Sequence, residues 1–359
     1  MRFLLNSLAT TLLLALPLAA QAQSAPTKGQ LFTADNKNIQ YTGRIDFADA
    51  KKPRFWAPGV YITTRFEGSS CAVLVNDEVL GGGNHNYLEL VLDGKPSRIQ
   101  LTGKENTVPV ASNLAAGPHT LTVCKNTESN IGYLEFVGVR CAKLLPPSAR
   151  AAHRIEFIGN SITCGTGSDQ SVVPCGKGKW HDQHNAYMAY GPTTARALGA
   201  QWQLTAVSGI GLMHSCCNMT LVMPQVFDKI NLRENAIAWD FSRYQPDVVT
   251  ICLGQNDGIQ DSTTFCGNYV TFLNTMRQHY PKAQLVCLTS PMADAKLTAV
   301  LRRYLTGIVA HQNAAGDAAV HKFFFSRSYN SGCDNHPSLA EHQLIAAELT
   351  AYLKNTLHW

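Results

Sequence analysis

"RIEFIGNSITCGTG", residues Arg154–Gly167, is the stretch whose reading decides the fold. Its first half is a nearly continuous apolar run, the pattern of a strand covered on both faces. Its second half breaks into small and polar residues around Ser161. Four more runs of the first kind follow: "WQLTAV", "DVVTICLG", "AQLVCLTS" and "HKFFFS". Helix-like stretches separate them, at about 184–198, 222–234, 262–279, 294–313 and 338–356. Five alternations of strand and helix predict an α/β unit with a parallel, doubly wound sheet and helices on both faces. In such a sheet the site lies beyond the carboxyl ends of the strands. The residues just after each apolar run are therefore the ones that matter.

Those strand ends carry a consistent set of groups. After the first run come Gly159, Asn160 and Ser161. After the second, in "AVSGIGL", come Ser208 and Gly209. After the third comes "GQND", Gly254 to Asp257. "GCDNHPS", with Asp334 and His336, precedes the last helix. The chemistry these permit is acyl transfer. A serine hydroxyl needs a base to take its proton as it attacks, and imidazole titrates near neutral pH. A carboxylate can hold the imidazole in the right tautomer. The N–H groups of Ser161 and Gly209 and the Asn256 amide are candidate donors to the oxyanion. Each piece alone has a plainer explanation, as a turn residue, a helix cap or a loop feature. All four in one order, each at its strand end, point to a site. Asp257 is expected to fix the "GQND" turn.

The order and identity of these blocks resemble the SGNH hydrolases, the Gly-Asp-Ser-Leu esterase superfamily, whose sheet is flavodoxin-like. The matches are "GNSIT", "SG" at 208–209, "GQND" and "DNHPS". Asn160 stands where the superfamily usually has Asp, a position that shapes the turn. The acid usually three residues before the histidine is replaced by Cys333, and the nearest carboxylate is Asp334. In this the chain is similar to the family-two carbohydrate esterases, acetylxylan and glucomannan deacetylases. "LELVLDG", "LAAGPHTLTVCKNTES", "IGNSITCGTG" and "AYGPTTARALGA" strengthen that likeness, which runs over nearly the whole mature chain. The resemblance implies Ser161 as nucleophile, His336 as base, Asp334 as orienter, and Gly209 and Asn256 in the oxyanion hole. It also implies that some members manage with Ser, His and a backbone carbonyl. The implied substrate is an acetylated polysaccharide or oligosaccharide such as xylan or glucomannan. Two competing readings are a lipid or aryl-ester hydrolase on the same scaffold, and a catalytically inactive carbohydrate-binding protein.

Ahead of this unit, residues 28–148 read as an all-β sandwich or jelly roll. "GVYITTRFEG", "CAVLVNDE", "NYLELVLDG", "SRIQL", "HTLTVCKNT" and "YLEFVGV" are short and rich in Val, Ile, Thr and Tyr, with turn signals between them. "LLPPSARAAH" reads as a linker to the hydrolase unit, 153–359. The first 22 residues read as a signal peptide: Arg2, an apolar stretch from Leu8 to Ala20, and Ala20-Gln21-Ala22 as the cleavage site. That predicts a secreted or periplasmic protein with a mature chain beginning at Gln23 and no membrane span in it.

Thirty Lys and Arg against 25 Asp and Glu, without a basic cluster, exclude a nucleic-acid partner. Eleven cysteines in an exported chain permit disulfides and leave at least one thiol unpaired. Cys252 and Cys287 sit in strand-like runs and read as buried thiols. Cys164, Cys175, Cys216, Cys217, Cys266 and Cys333 fall in loops and are the candidates for bridges; a bridge at Cys333 would stiffen the Asp334–His336 segment, with a buried thiol as the alternative there. "HDQHN", with His181 and His184, reads as a surface loop rather than a metal site, and acyl transfer of this kind needs no metal or organic cofactor. Trp180, just before it, is a candidate wall for a sugar ring, or equally an aromatic that anchors its loop. His342, in the last helix, reads as structural.

Overall fold

In the computed structural model, which describes residues 29–357, an antiparallel β domain is followed by an α/β domain. The expected signal peptide lies outside the described residues. The β domain is built from β1 (Gln30–Thr33), β2 (Gln40–Thr42), β3 (Arg54–Phe55), β4 (Tyr61–Asp77), β5 (Tyr87–Leu92), β6 (Lys95–Gln100), β7 (Glu105–Ala111), β8 (Pro118–Lys125) and β9 (Leu134–Leu145). "GVYITTRFEG" and "CAVLVNDE", expected as two strands, are the one 17-residue strand β4. It changes partners along its length: Tyr61–Glu67 pairs with β8 and Cys71–Asn76 with β7, while Tyr61–Thr63 also pairs with β2, and Arg65–Glu67 and Cys71–Asp77 with β9. The register slips between Glu67 and Cys71. There Gly68 has φ +131°, a conformation open to glycine, and a Cβ would press on Ala142 at 2.9 Å. The bend lets one strand serve both halves of the domain around a core that includes Phe66, Val73, Leu121, Phe136 and Val139.

In the α/β domain β10 (Arg154–Gly159) leads into α1 (Ser161–Cys164) and α2 (Tyr190–Ala197). Then come β11 (Gln201–Ala206), α3 (Met223–Val226), the hairpin β12 (Lys229–Asn231) and β13 (Ala236–Ala238), β14 (Val248–Cys252), α4 (Ser262–His279), β15 (Gln284–Leu288), α5 (Ala295–Ala314), β16 (Val320–Phe323) and α6 (Leu339–Leu357). Five strands form a parallel sheet in the order β11-β10-β14-β15-β16, the flavodoxin-like order. Period-two alternation divides the strand side chains between two cores. Val248, Val286 and Leu288 pack with Tyr190, Ile345 and Leu349 of α2 and α6. Val249, Ile251, Leu285 and Cys287 pack with Phe265, Phe272, Leu301 and Leu305 of α4 and α5 on the other face. No helix among the described residues is long and apolar enough to cross a membrane.

Two expected helices are shorter than their sequence patterns. Residues 184–198 are helical only over α2, and 222–234 only over α3, after which the chain turns into the β12–β13 hairpin. The second correction has a visible cause. Arg44 of the β domain donates to the main-chain carbonyls of Phe227 and Lys229, groups that a continuing helix would have used itself. The same guanidinium pairs with Glu156 of β10 at 2.9 Å, both side chains fully buried. Glu156 also accepts from Gln203 and Thr205 of β11. Removing one partner of such a pair costs about 3–5 kcal/mol, because the other charge is left bare. Nearby, Trp202 donates its indole N–H to Gly59 and stacks on Tyr61 at 4.0 Å.

Candidate active site

The register of the sheet brings the strand ends together. Gly159 lies opposite Ala206 on one side and Cys252 on the other, so the segments after β10, β11 and β14 leave the sheet side by side. The connections from β10 and β14 diverge at this point, the crevice where doubly wound sheets bind their ligands. Asn160 turns the chain: its side-chain oxygen accepts the Ile162 N–H at 3.2 Å and caps α1. Ser161 follows as the first residue of α1, 7 % exposed.

His336 reaches this serine from the far end of the chain. Its Nε2 lies 2.8 Å from Ser161 Oγ, the distance of a hydrogen bond along which a proton can pass. The histidine segment is laced to the turn beyond Ser161. Cys333 donates its N–H to the Gly167 carbonyl at 2.8 Å, and Leu339 donates to Ser168 at 3.1 Å. A Cys175–Cys333 disulfide ties the same segment to the loop before Trp180.

The orienting group differs from the expected one. Imidazole Nδ1 donates to the main-chain carbonyl of Asp334 at 3.1 Å; the Asp334 carboxylate makes no such bond and points into an exposed position. The reason is backbone conformation. Asp334 has φ 51° and ψ 41°, and Asn335 φ 57°, so two successive left-handed residues turn the carbonyl, not the side chain, toward the ring. A carbonyl can only accept. It therefore fixes the proton on Nδ1 and leaves the Nε2 lone pair facing the serine. Burial pushes the imidazole below the usual histidine range, against the opposing pull of the Asp334 and Cys333 main-chain bonds.

Gly209 and Asn256 meet in the segments that follow β11 and β14, the two strands flanking β10. Asn256 donates one amide N–H to the Ile210 carbonyl at 2.8 Å, which fixes the amide and leaves its second N–H to point elsewhere. Gly209 has φ +84°, and a Cβ there would lie 2.8 Å from Cys216 Sγ and 3.0 Å from Met219 Sδ. Among the described residues, no hydrogen bond occupies the N–H of Ser161 or of Gly209. Asp257, expected to fix its own turn, instead accepts with its carboxylate the N–H groups of Leu212, Met213 and His214 at 2.7–3.0 Å, clamping the glycine block onto the asparagine block. The arrangement is a hydroxyl with a base in contact and, on the neighbouring strand ends, donors of the kind nucleophilic acyl transfer uses.

Other expected residues fall differently. Trp180 is 44 % exposed and meets His184 edge-on at 4.3 Å; among the described residues no ring contact joins it to His336. "HDQHN" is not a surface loop. His181 and His184 are buried because Arg98 of β6 donates to the carbonyls of Asp182 and His184, and Tyr87 to the Asp182 carboxylate. His342 is buried and accepts the Tyr190 N–H, a structural part. Among the candidate bridges, Cys175–Cys333 and Cys216–Cys217 form, while Cys164 and Cys266 are free. Cys252 and Cys287 are buried thiols, each pushed up to about 12 by burial. One contact to the site had no signal in the strand pattern: the N–H of Ser208 donates to Glu128 of the β domain at 2.5 Å. Glu128 follows a strand in an unremarkable polar run, and only the fold shows where it points.

Known proteins share both halves of this design. The Carbohydrate esterase 2 N-terminal family matches residues 41–147, and the GDSL-like Lipase/Acylhydrolase family matches residues 157–343. The chain is 35 % identical over 341 residues to the cellulase/esterase CelE of Acetivibrio thermocellus, covering 90 % of this chain and 40 % of that one. It is 28 % identical over 351 residues to an acetylxylan esterase / glucomannan deacetylase of Cellvibrio japonicus, covering 94 % of each. Among solved structures, a family two carbohydrate esterase from Clostridium thermocellum in complex with cellohexaose superposes with a TM-score of 0.83 at 33 % identity, over 89 % of this chain and 99 % of that one.

Proposed function

The chain belongs to the family-two carbohydrate esterases, carboxylic ester hydrolases of the GDSL type, and from this premise we propose that it is exported and removes O-acetyl groups from polysaccharides such as xylan and glucomannan. The observation that carries the proposal is the 2.8 Å contact between His336 Nε2 and Ser161 Oγ, with the ring's other nitrogen anchored on a carbonyl. Ser161 Oγ attacks the acetyl carbonyl carbon while His336 takes the hydroxyl proton. The N–H groups of Ser161 and Gly209 and the free amide N–H of Asn256 hold the oxyanion. The tetrahedral intermediate collapses, the C–O bond to the sugar breaks, and His336 returns its proton to the departing sugar oxygen. Water then attacks the acetyl-serine with the same base, releasing acetate and restoring Ser161. Ser161 and His336 act as a dyad, with the main-chain carbonyl of Asp334 as the orienter.

Acetylated polysaccharide as substrate is supported by the name of the Cellvibrio relative and by the oligosaccharide held in the Clostridium one. The test is acetate release from acetylated xylan and acetylated glucomannan, with parent protein and Ser161→Ala side by side. Release by the parent and none by the variant is expected. Faster turnover of octanoyl than of acetyl nitrophenyl ester would favour the lipid or aryl-ester reading instead. Glycan binding without hydrolysis by the parent would mean a binding protein.

A further inference from the structure

Glu128 belongs to the β domain, yet it is fully buried under the α/β site. Its Oε2 accepts the Ser208 N–H at 2.5 Å, one residue before Gly209. The same oxygen lies 3.7 Å from the thiol of Cys164, which is three residues after Ser161 on α1. Ser208 is gripped from a second direction: its hydroxyl bonds Thr166 Oγ1 at 2.8 Å, and the Thr166 N–H donates to the carbonyl of Ser161 at 3.0 Å. One carboxylate thus touches both the helix of the nucleophile and the loop of the oxyanion donor.

The support beneath Glu128 is itself buried and hydrogen-bonded. Lys125, fully buried, donates from Nζ to the carbonyls of Thr127 and Glu128 at 2.6 and 3.1 Å. The Thr127 hydroxyl donates to Asn86, and Asn86 donates to Asp77 at 2.6 Å. Every one of these groups is buried in the β domain. Donors act on an oxyanion only where they are held in place before the charge develops. The Gly209 N–H has no hydrogen bond of its own to hold it among the described residues. Its direction is set by the peptide before it, which Glu128 holds.

We propose that Glu128 is a positioning residue for the oxyanion hole, so that the β domain supplies part of the catalytic apparatus rather than only a neighbouring surface. This rests on the esterase reading above. Loss of the acceptor should act on the transition state and leave substrate binding alone.

The experiment uses the full-length protein with 4-nitrophenyl acetate. In Glu128→Leu, kcat should fall about 10- to 100-fold with KM within about twofold, and affinity for a boronic acid that forms a tetrahedral serine adduct should fall with it. Glu128→Gln keeps a carbonyl oxygen to accept the Ser208 N–H and should restore kcat to within about threefold of the parent. Parental kcat in Glu128→Leu, or an equal loss in both variants, overturns the proposal. Should the leucine variant not fold by near-ultraviolet circular dichroism, hydrogen exchange at the Ser208 amide of the parent decides. A protected amide is expected; exchange at the rate of an exposed one overturns the proposal. Failure of the esterase reading is recognised separately, as a parent no more active than Ser161→Ala.

Discussion

Replacing Asp334 by asparagine removes a carboxylate and leaves the main-chain carbonyl that bonds His336 Nδ1. Asparagine is the right substitution because the residue sits at φ 51°, ψ 41°, where Asn is tolerated and alanine would add about 1–2 kcal/mol of strain. The expected effect follows from what the carboxylate does. It lies at an exposed position and forms no hydrogen bond with the ring. Its help to a developing imidazolium is a long-range Coulomb term, screened by solvent, of about 1 kcal/mol or less. That is at most about a fivefold loss in kcat/KM. Where a buried carboxylate sets the tautomer, the same change costs about 10⁴-fold. The assay is kcat and kcat/KM on 4-nitrophenyl acetate and on acetylated xylan, from pH 5 to 9. A loss of a thousandfold or more in a folded variant refutes the reasoning, and would mean that the carboxylate, not the carbonyl, orients the ring during turnover.

The pH profile tests the base itself. His336 must be neutral to accept the serine proton, and burial holds its pKa below the usual 6.5, so kcat/KM should stay level on descending to that value and fall only below it; an acid limb centred above pH 7 contradicts this. Gly209→Ala forces a Cβ against Cys216 Sγ at a positive φ, and a displaced N–H should cost about 10²–10³ in kcat with little change in KM, read by steady-state kinetics with the nitrophenyl ester. Cys175→Ser with Cys333→Ser opens a link between residues 158 apart in sequence and should cost about 2–5 kcal/mol in urea unfolding, together with a loss in kcat/KM because Cys333 begins the histidine segment; unchanged unfolding and turnover would argue against both roles.

What could be read from the sequence was what a strand end dictates. Once "IEFIG" and "DVVTICLG" are buried parallel strands, Ser161 and Asn256 have to emerge at one edge, and period-two alternation of the apolar residues requires helices on both sides. What could not be read depends on contacts between distant segments. The helix expected over 222–234 stops because Arg44, 183 residues before Phe227, takes its carbonyl. The "HDQHN" loop is inside because Arg98 and Tyr87 reach across from the β domain. Asp257 reads from sequence as fixing its own turn because the loop it clamps is 45 residues away. Asp334 shows a subtler limit. Its side chain suggested a carboxylate orienter, while the functional contact comes from its backbone, which residue identity does not reveal.

The buried Arg44–Glu156 pair bears on how this protein can be cut. Trimming the gene to the catalytic half would leave Glu156, in the first strand of the parallel sheet, stranded in an apolar setting with its cation gone. The fragment would also lose the hand that ends α3, and Ser208 would lose its acceptor. A transferable piece therefore needs both halves, since the α/β half alone keeps a buried charge without its partner and an amide without its acceptor.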